Sequence, residues 1–222
     1  MPVQIEDGVL RLPPRPWINV VANERFGFLV SETGAGTTWS RNSREHRLTP
    51  WSNDALLDPH GEAFYARDDD TGEFWSLFPG PAPADGPYEV RHGWGRSLCH
   101  HGNGDLEQEI RLFVPRRDPL RVARVRLVNH GAVTRRLSLF AYAELVLGGL
   151  PEESGRFVVT KAEPASGVLF GRSAFAAEYR DGVAFAAATT AAGPATVYWT
   201  ADRAAFLGPG GTLAQPAALQ RG

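Results

Sequence analysis

An all-β fold, an antiparallel sandwich, is predicted by three features of this 222-residue chain. Short runs rich in β-branched and aromatic residues recur between turn formers, at the spacing of sandwich strands. The clearest run, residues 120–129, places Ala123, Val125 and Leu127 on one side and Arg124 and Arg126 on the other. That period of two marks a sheet with one face covered, since a helical register breaks against the two arginines. The 24 glycines and 17 prolines are scattered as punctuation and form no linker. One domain over residues 16–222 is therefore expected, after an extended lead-in of residues 1–15 that ends Pro13-Pro-Arg-Pro16.

In chain order, residues 17–22 and 26–30 make the first strand candidates. Residues 62–67 and 73–78 flank Asp68-Asp-Asp-Thr-Gly72, a composition suited to a hairpin tip. Gly80 to Pro87 alternates Pro, Ala and Gly and reads as a surface loop. Long strands are expected at 88–97, 106–114, 120–129 and 135–147. In the last of these Leu137, Leu139, Ala141, Ala143 and Leu145 are expected to hold one buried face. Asn129-His-Gly131 is a turn. Further strands are expected at 157–162, 168–171, 183–190 and 196–200, and residues 206–222 read as a loop.

Composition narrows the function. Hydrophobic content of 43% with 22% charge describes a soluble globular chain. A formal charge of −2 leaves no electrostatic footprint for nucleic acid. The single Cys99 has no internal partner for a disulfide. The first residues lack the basic and apolar regions of a signal peptide. No apolar run approaches the ~20 residues that span a bilayer.

One stretch departs from the strand pattern. From Phe26 to Asp54 the chain reads FGFLVSETGAGTTWSRNSREHRLTPWSND. It gathers Gly34, Gly36, Trp39, Arg44, Arg47, Trp51, Asn53 and Asp54, more hydrogen-bonding groups than a buried strand accommodates. Aromatic faces beside forked donors and carboxylates are what a polyhydroxylated ligand requires. Arg44 and Arg47 can each grip a carboxylate, a phosphate or paired sugar hydroxyls. Trp39 and Trp51 serve equally as stacking platforms or as core plugs. Gly34-Ala-Gly36 lacks the trailing Lys of a phosphate loop and reads as a turn.

Other constellations point to ordinary structural roles. Ser43, His46 and Asp54 lack the strand–turn–helix frame of a nucleophile elbow. His100 and His101 point to opposite faces of a strand, which does not suit one metal. Asp68-Asp-Asp70 lacks calcium-loop spacing. Glu144, inside an apolar run, is either an arginine's partner or an acid–base group with a raised pKa. A mutarotase-type enzyme would pair His92, His100 or His101 with Glu107 or Glu144. A purely structural spacer or dimerisation piece is the remaining alternative.

The opening stretch, with DPHGEAFYARDD, GEFWS, YEVRHGWG, the FVP at 113–115, AYAELVLG at 141–148 and TADRAAFLG at 200–208, resembles one family. It is similar to the N-terminal β-sandwich of glycoside hydrolase family 94, in its cyclic β-1,2-glucan synthase branch, from Pro16 to Leu219. Thr37 stands where the resemblance leads one to expect tyrosine, and His46 where asparagine is common. The resemblance implies a supersandwich like that of galactose mutarotase, which continues for additional strands and precedes an (α/α)6 barrel. The barrel carries the general-acid aspartate, and phosphate attacks the anomeric carbon with inversion. Nothing in this sequence resembles that barrel. The resemblance therefore implies a non-catalytic, carbohydrate-associated fragment without cofactor or metal. Its implied partners are a β-glucan or glucose-type saccharide, the downstream barrel and a second copy in a homodimer. The implied parent is large and membrane-bound, at the cytoplasmic face of the bacterial inner membrane.

Overall fold

A computed structural model describes residues 2–6, 9–54, 56–175, 177–191 and 193–220. Twelve strands build the sandwich: β1 (Pro2–Glu6), β2 (Val9–Arg11), β3 (Asn19–Ala22), β4 (Phe26–Val30), β5 (Gly36–Ser40), β6 (Glu62–Asp68), β7 (Phe74–Ser76), β8 (Tyr88–Gly93), β9 (Arg96–Asn103), β10 (Leu106–Phe113), β11 (Val122–Asn129) and β12 (Leu137–Ala143). β8 to β11 form an antiparallel meander that is extended through β1 to β2. Two three-stranded sheets, β3-β4-β5 and β12-β6-β7, complete the sandwich. A separate sheet follows, of β13 (Val158–Glu163), β14 (Val168–Ser173) and β15 (Ala184–Ala186).

Alternation decides which side chains enter the core. In β10, Leu106, Gln108, Ile110 and Leu112 are buried while Glu107, Glu109, Arg111 and Phe113 lie outward. Val90, Cys99 and Ile110 sit side by side across three strands and pack with Val21, Phe28, Val30, Trp75, Leu77 and Phe78 from the facing sheets. Two polar groups enter this core with partners. Trp75 Nε1 donates to Gln108 Oε1 at 2.6 Å, and Gln108 Nε2 donates to the Leu77 carbonyl at 3.3 Å. Both sheets are thus tied by bonds made away from water, where an unmade one is costly.

Several expectations need correcting. The expected strand 88–97 is two strands, because Gly95 takes a left-handed conformation (φ 70°) and turns the chain after Trp94. The lead-in contains β1 and β2, and Val3 is fully buried. Residues 36–40, read only as part of the polar stretch, are a strand. β12 departs from the expected burial at its centre, although Leu137 packs on the main core as expected. Phe140 and Tyr142 pack inward, while Leu139, Ala141 and Ala143 are exposed. β12 is an edge strand, and its larger aromatic residues take the covered side. Residues 196–200 form no strand. Within the expected loop 206–222, Ala217–Gln220 is a helix whose Leu219 is fully buried against Tyr65, Ala63 and Ala82. Residues 221 and 222 lie outside the described residues. The sandwich class and the Asp-rich hairpin tip agree with the sequence. Asp68 Oδ1 accepts the Asp70 and Thr71 amides, and its Oδ2 accepts from Arg135 Nε at 2.6 Å.

Candidate functional site

The polar stretch begins at the β4–β5 connection. Ser31 N donates to Ala35 O and Gly34 N to Ser31 O, closing a tight turn in which Gly34 has φ 93°. A Cβ at Gly34 would lie 2.5 Å from Phe78 Cβ, and one at Gly36 2.1 Å from the Leu29 carbonyl oxygen. These glycines serve close internal packing. The turn is held from outside its own segment. Ser31 Oγ and Thr33 Oγ1 both donate to Asp58 Oδ2 at 2.6 Å. The Trp17 amide donates to Glu32 Oε2 at 2.6 Å. Burial pushes the Glu32 carboxyl above its usual range, despite those backbone donors.

β5 carries Thr37, Thr38 and Trp39 past the segment that follows it. Thr37 Oγ1 donates to Thr49 O at 2.7 Å. Thr38 Oγ1 and Thr49 Oγ1 donate to Glu62 Oε1 at 2.7 and 2.6 Å. Glu62 Oε2 pairs with Arg121, whose guanidinium also lies over the rings of Phe28 and Phe64. Burial raises the Glu62 pKa, but Arg121, Thr49 and Thr38 outweigh it and leave the carboxyl below its usual value. This network is the chemistry that reading the sequence missed. Its available signal was the Thr37-Thr38 pair inside a polar stretch, opposite a glutamate that opens a strand.

The rest of the stretch divides by burial. Trp39 lies against Gly27 directly across the ladder, where a Cβ would come within 2.4 Å of Trp39 Cζ2. Arg47 is bound to the frame: Nε donates to the Ser43 carbonyl and Nη1 to the Gly149 carbonyl, both at 3.0 Å. Between them the chain loops outward. Asn42 Oδ1 accepts the Arg44 and Glu45 amides, which leaves Arg44 with 87% of its side chain exposed beside Glu45 at 3.4 Å. Trp51 is half-buried and Asn53 is exposed. Asp54 Oδ1 accepts the Leu56 and Leu57 amides, and the Leu57 and Leu56 bonds lower its carboxyl pKa. The segment therefore has an anchored inner half and an open outer edge of Arg44, Trp51 and Asn53.

The other candidates are distributed differently. His46 is buried, stacks on Tyr179 at 4.2 Å and places Nδ1 2.9 Å from the Ser40 carbonyl. Ser43 is exposed, and Asp54 is committed to backbone amides. His92 bridges Ser97 Oγ and the Trp17 carbonyl, each at 3.0 Å. His101 stacks on Tyr88 at 3.8 Å with Nδ1 3.0 Å from the Pro87 carbonyl. His100 reaches Glu107 at 3.5 Å, and His130 approaches the same carboxylate at 2.9 Å. Glu144 pairs with Arg203 at 2.8 Å. No group of three or more metal-ligating side chains is poised to hold an ion among the described residues.

This frame is matched by residues 8–222, which fit the family described as Glycosyl hydrolase 94, supersandwich domain. The chain belongs to that family. The cyclic beta-(1,2)-glucan synthase NdvB of Rhizobium meliloti (strain 1021) is 36% identical over 210 residues, which covers 94% of this chain and 7% of that protein. The N,N'-diacetylchitobiose phosphorylase of Vibrio furnissii is 31% identical over 134 residues, 59% of this chain and 17% of that protein. The solabiose phosphorylase of Paenibacillus borealis is 28% identical over 151 residues, 61% and 18% respectively. The chain thus spans less than a fifth of the length of each of these relatives. Family membership agrees with the strand-dominated, antiparallel architecture. No helix among the described residues is long and apolar enough to cross a membrane.

Proposed function

We propose that this chain is the carbohydrate-associated sandwich of a larger glucan synthase or β-glucoside phosphorylase, supplying saccharide and interface contacts to chemistry performed elsewhere in that parent. The observation that carries this reading is the division of the polar segment. Arg47 and the threonine–Glu62 network fix its inner half, and Arg44, Trp51 and Asn53 are presented on its outer edge. Fixing the frame in advance lowers the ordering cost of binding. The printed names of the relatives, a glucan synthase and two disaccharide phosphorylases, support a saccharide as the ligand. In this reading the unit spans residues 16–222, with the lead-in strands added at a sheet edge. It docks on an (α/α)6 catalytic domain, and a second copy completes a homodimer. The parent works at the cytoplasmic face of the bacterial inner membrane.

A glucan site shared between domains binds weakly when one side is present alone. Calorimetric titration of the 222-residue chain with β-1,2-linked glucan oligosaccharides is expected to give millimolar affinity, about −4 kcal/mol. Arg44→Ala and Trp51→Ala each abolish it without shifting the unfolding midpoint. Micromolar affinity would show a self-sufficient site. Binding untouched by both substitutions would remove the polar segment from the function. Light scattering at high concentration tests the homodimer, and a strict monomer counts against it.

A further inference from the structure

The outer face of the β8–β11 meander carries a second constellation that shares no residue with the polar segment. At the β8–β9 hairpin tip Trp94 is fully exposed to solvent. It borders a depression of about 330 Å³ lined by Trp94, Gly95, Arg96, Arg111, Phe113 and Arg124. Register explains the assembly. Phe113 lies beside Arg96 on β9, and Arg111 lies between Leu98 and Arg124 on the two neighbouring strands. Alternation then sends all of these side chains to the same face of the sheet.

The aromatic tip is held still while its ring stands in water. The β8–β9 ladder is complete up to the Gly93–Arg96 pair. From the facing sheet, the Asn19 amide nitrogen lies 3.1 Å from Gly93 O, 3.0 Å from Arg96 O and 3.0 Å from Ser97 Oγ. A tryptophan left outside the core on a clamped backbone is a preformed stacking surface.

Charge selects the ligand. No acidic side chain among the described residues lines the depression, which is bordered by three arginines. Among the described residues neither the Arg96 nor the Arg124 guanidinium has an ion-pair or hydrogen-bond partner, and Arg111 Nε is buried without one. The row beyond carries carboxylates: Glu89, His100, Glu109 and Arg126 lie side by side, and Glu109 takes one Arg111 nitrogen at 3.0 Å. The three arginines therefore gather positive charge around a depression the size of one or two sugar rings, and the Glu89 and Glu109 carboxylates border it on one side. A long polyanion would run over those carboxylates. A ring with a single anionic substituent would not.

We propose that the Trp94 hairpin and Arg96, Arg111 and Arg124 form a binding site for a saccharide bearing a carboxylate or phosphate group. The pyranose face stacks on Trp94, and the anionic group is received by the arginine forks. The site is independent of the reading given for the polar segment.

The test compares a β-glucan oligosaccharide with the same oligosaccharide oxidised to glucuronate, by tryptophan fluorescence and calorimetry on the 222-residue chain. The oxidised form is expected to bind at least tenfold more tightly at low salt, with the preference shrinking as salt rises. Trp94→Ala is expected to lose at least tenfold in affinity for the oxidised form. Arg124→Gln is expected to lose the preference while keeping the stacking contribution. Both side chains are exposed, so folding is checked by an unchanged unfolding midpoint, and Arg96→Gln provides a second variant. Equal affinity for the two sugars, or full affinity in Trp94→Ala, overturns the proposal. So does Trp94-dependent capture by vesicles containing an anionic phospholipid without binding of either sugar, which would make the patch a membrane contact.

Discussion

The Glu62 carboxylate and the Arg121 guanidinium meet inside the sandwich, with only 5% and 16% of their side chains exposed. Two threonine hydroxyls satisfy the remaining Glu62 oxygen, and two phenylalanine rings flank the arginine. Removing one partner leaves a charge without compensation in a poorly hydrated place. Arg121→Met is expected to destabilise the fold by about 3–5 kcal/mol, and the double variant with Glu62→Gln by less. Urea unfolding of the three variants checks this. The acid limb has a definite sign. The folded carboxyl titrates below its ordinary 4.5, so its contribution is complete above that value and is lost as pH falls through the lower folded pKa. Wild type and Glu62→Gln should therefore converge in stability below pH 4.5.

Four histidines give a second pH dependence. Burial first, against the opposing backbone bonds, lowers the pKa of His46, His60, His92 and His101 below 6.5. The folded state thus holds fewer protons on these rings than the unfolded state. Their contribution is present above 6.5 and is lost as pH falls through the folded values. Urea midpoints should fall between neutral pH and about pH 5, and His46→Phe, which keeps a ring on Tyr179, should flatten part of that slope.

Gly27→Ala places a methyl group inside the Trp39 indole. A loss of about 1–3 kcal/mol is expected from overpacking. The loss should shrink when Trp39→Leu is added, which a double-mutant cycle by chemical denaturation measures as coupling.

Leu219 packs beneath β6 with Ala63, Tyr65 and Ala82. Leu219→Ala is expected to cost about 2–5 kcal/mol by thermal or chemical unfolding, through lost burial and the cavity left behind.

Arg44 and Arg47 were equivalent in the sequence and are not in the fold. Arg47→Ala frees the Ser43 and Gly149 carbonyls, and about 1–3 kcal/mol of stability should go with them. Arg44→Ala should stay within about 0.5 kcal/mol of wild type. Melting curves of the two proteins separate the roles.

Much of this was legible because alternation writes itself into strands. Ala123 and Val125 face the core while Arg124 and Arg126 face water, as their spacing requires. The same rule misled at β12. Small Leu and Ala residues and large Phe140 and Tyr142 alternate there, and pattern alone cannot say which apolar side is covered. Residues 88–97 read as one strand straight through Gly95, and the hairpin was missed because Arg96 to Asn103 is too polar to read as a strand of its own. Its buried side chains, Ser97, Cys99 and His101, are small or hydrogen-bonded. The Trp-Arg stretch was recognised as unusual, but sequence could not tell an arginine held by carbonyls from one in solvent. That difference depends on Gly149, 102 positions away.

The Tyr65 hydroxyl donates to the Leu213 carbonyl at 2.8 Å across 148 positions of chain. During synthesis β6 leaves the ribosome long before the segment that caps it. The aromatic underside of β6 and β12 therefore remains uncovered until the segment around Leu213 and Leu219 has been made, an interval in which exposed apolar surface invites aggregation. A nascent chain stalled before Leu213 should be a client for a holdase chaperone, and release of that client should coincide with arrival of the Ala217–Gln220 helix.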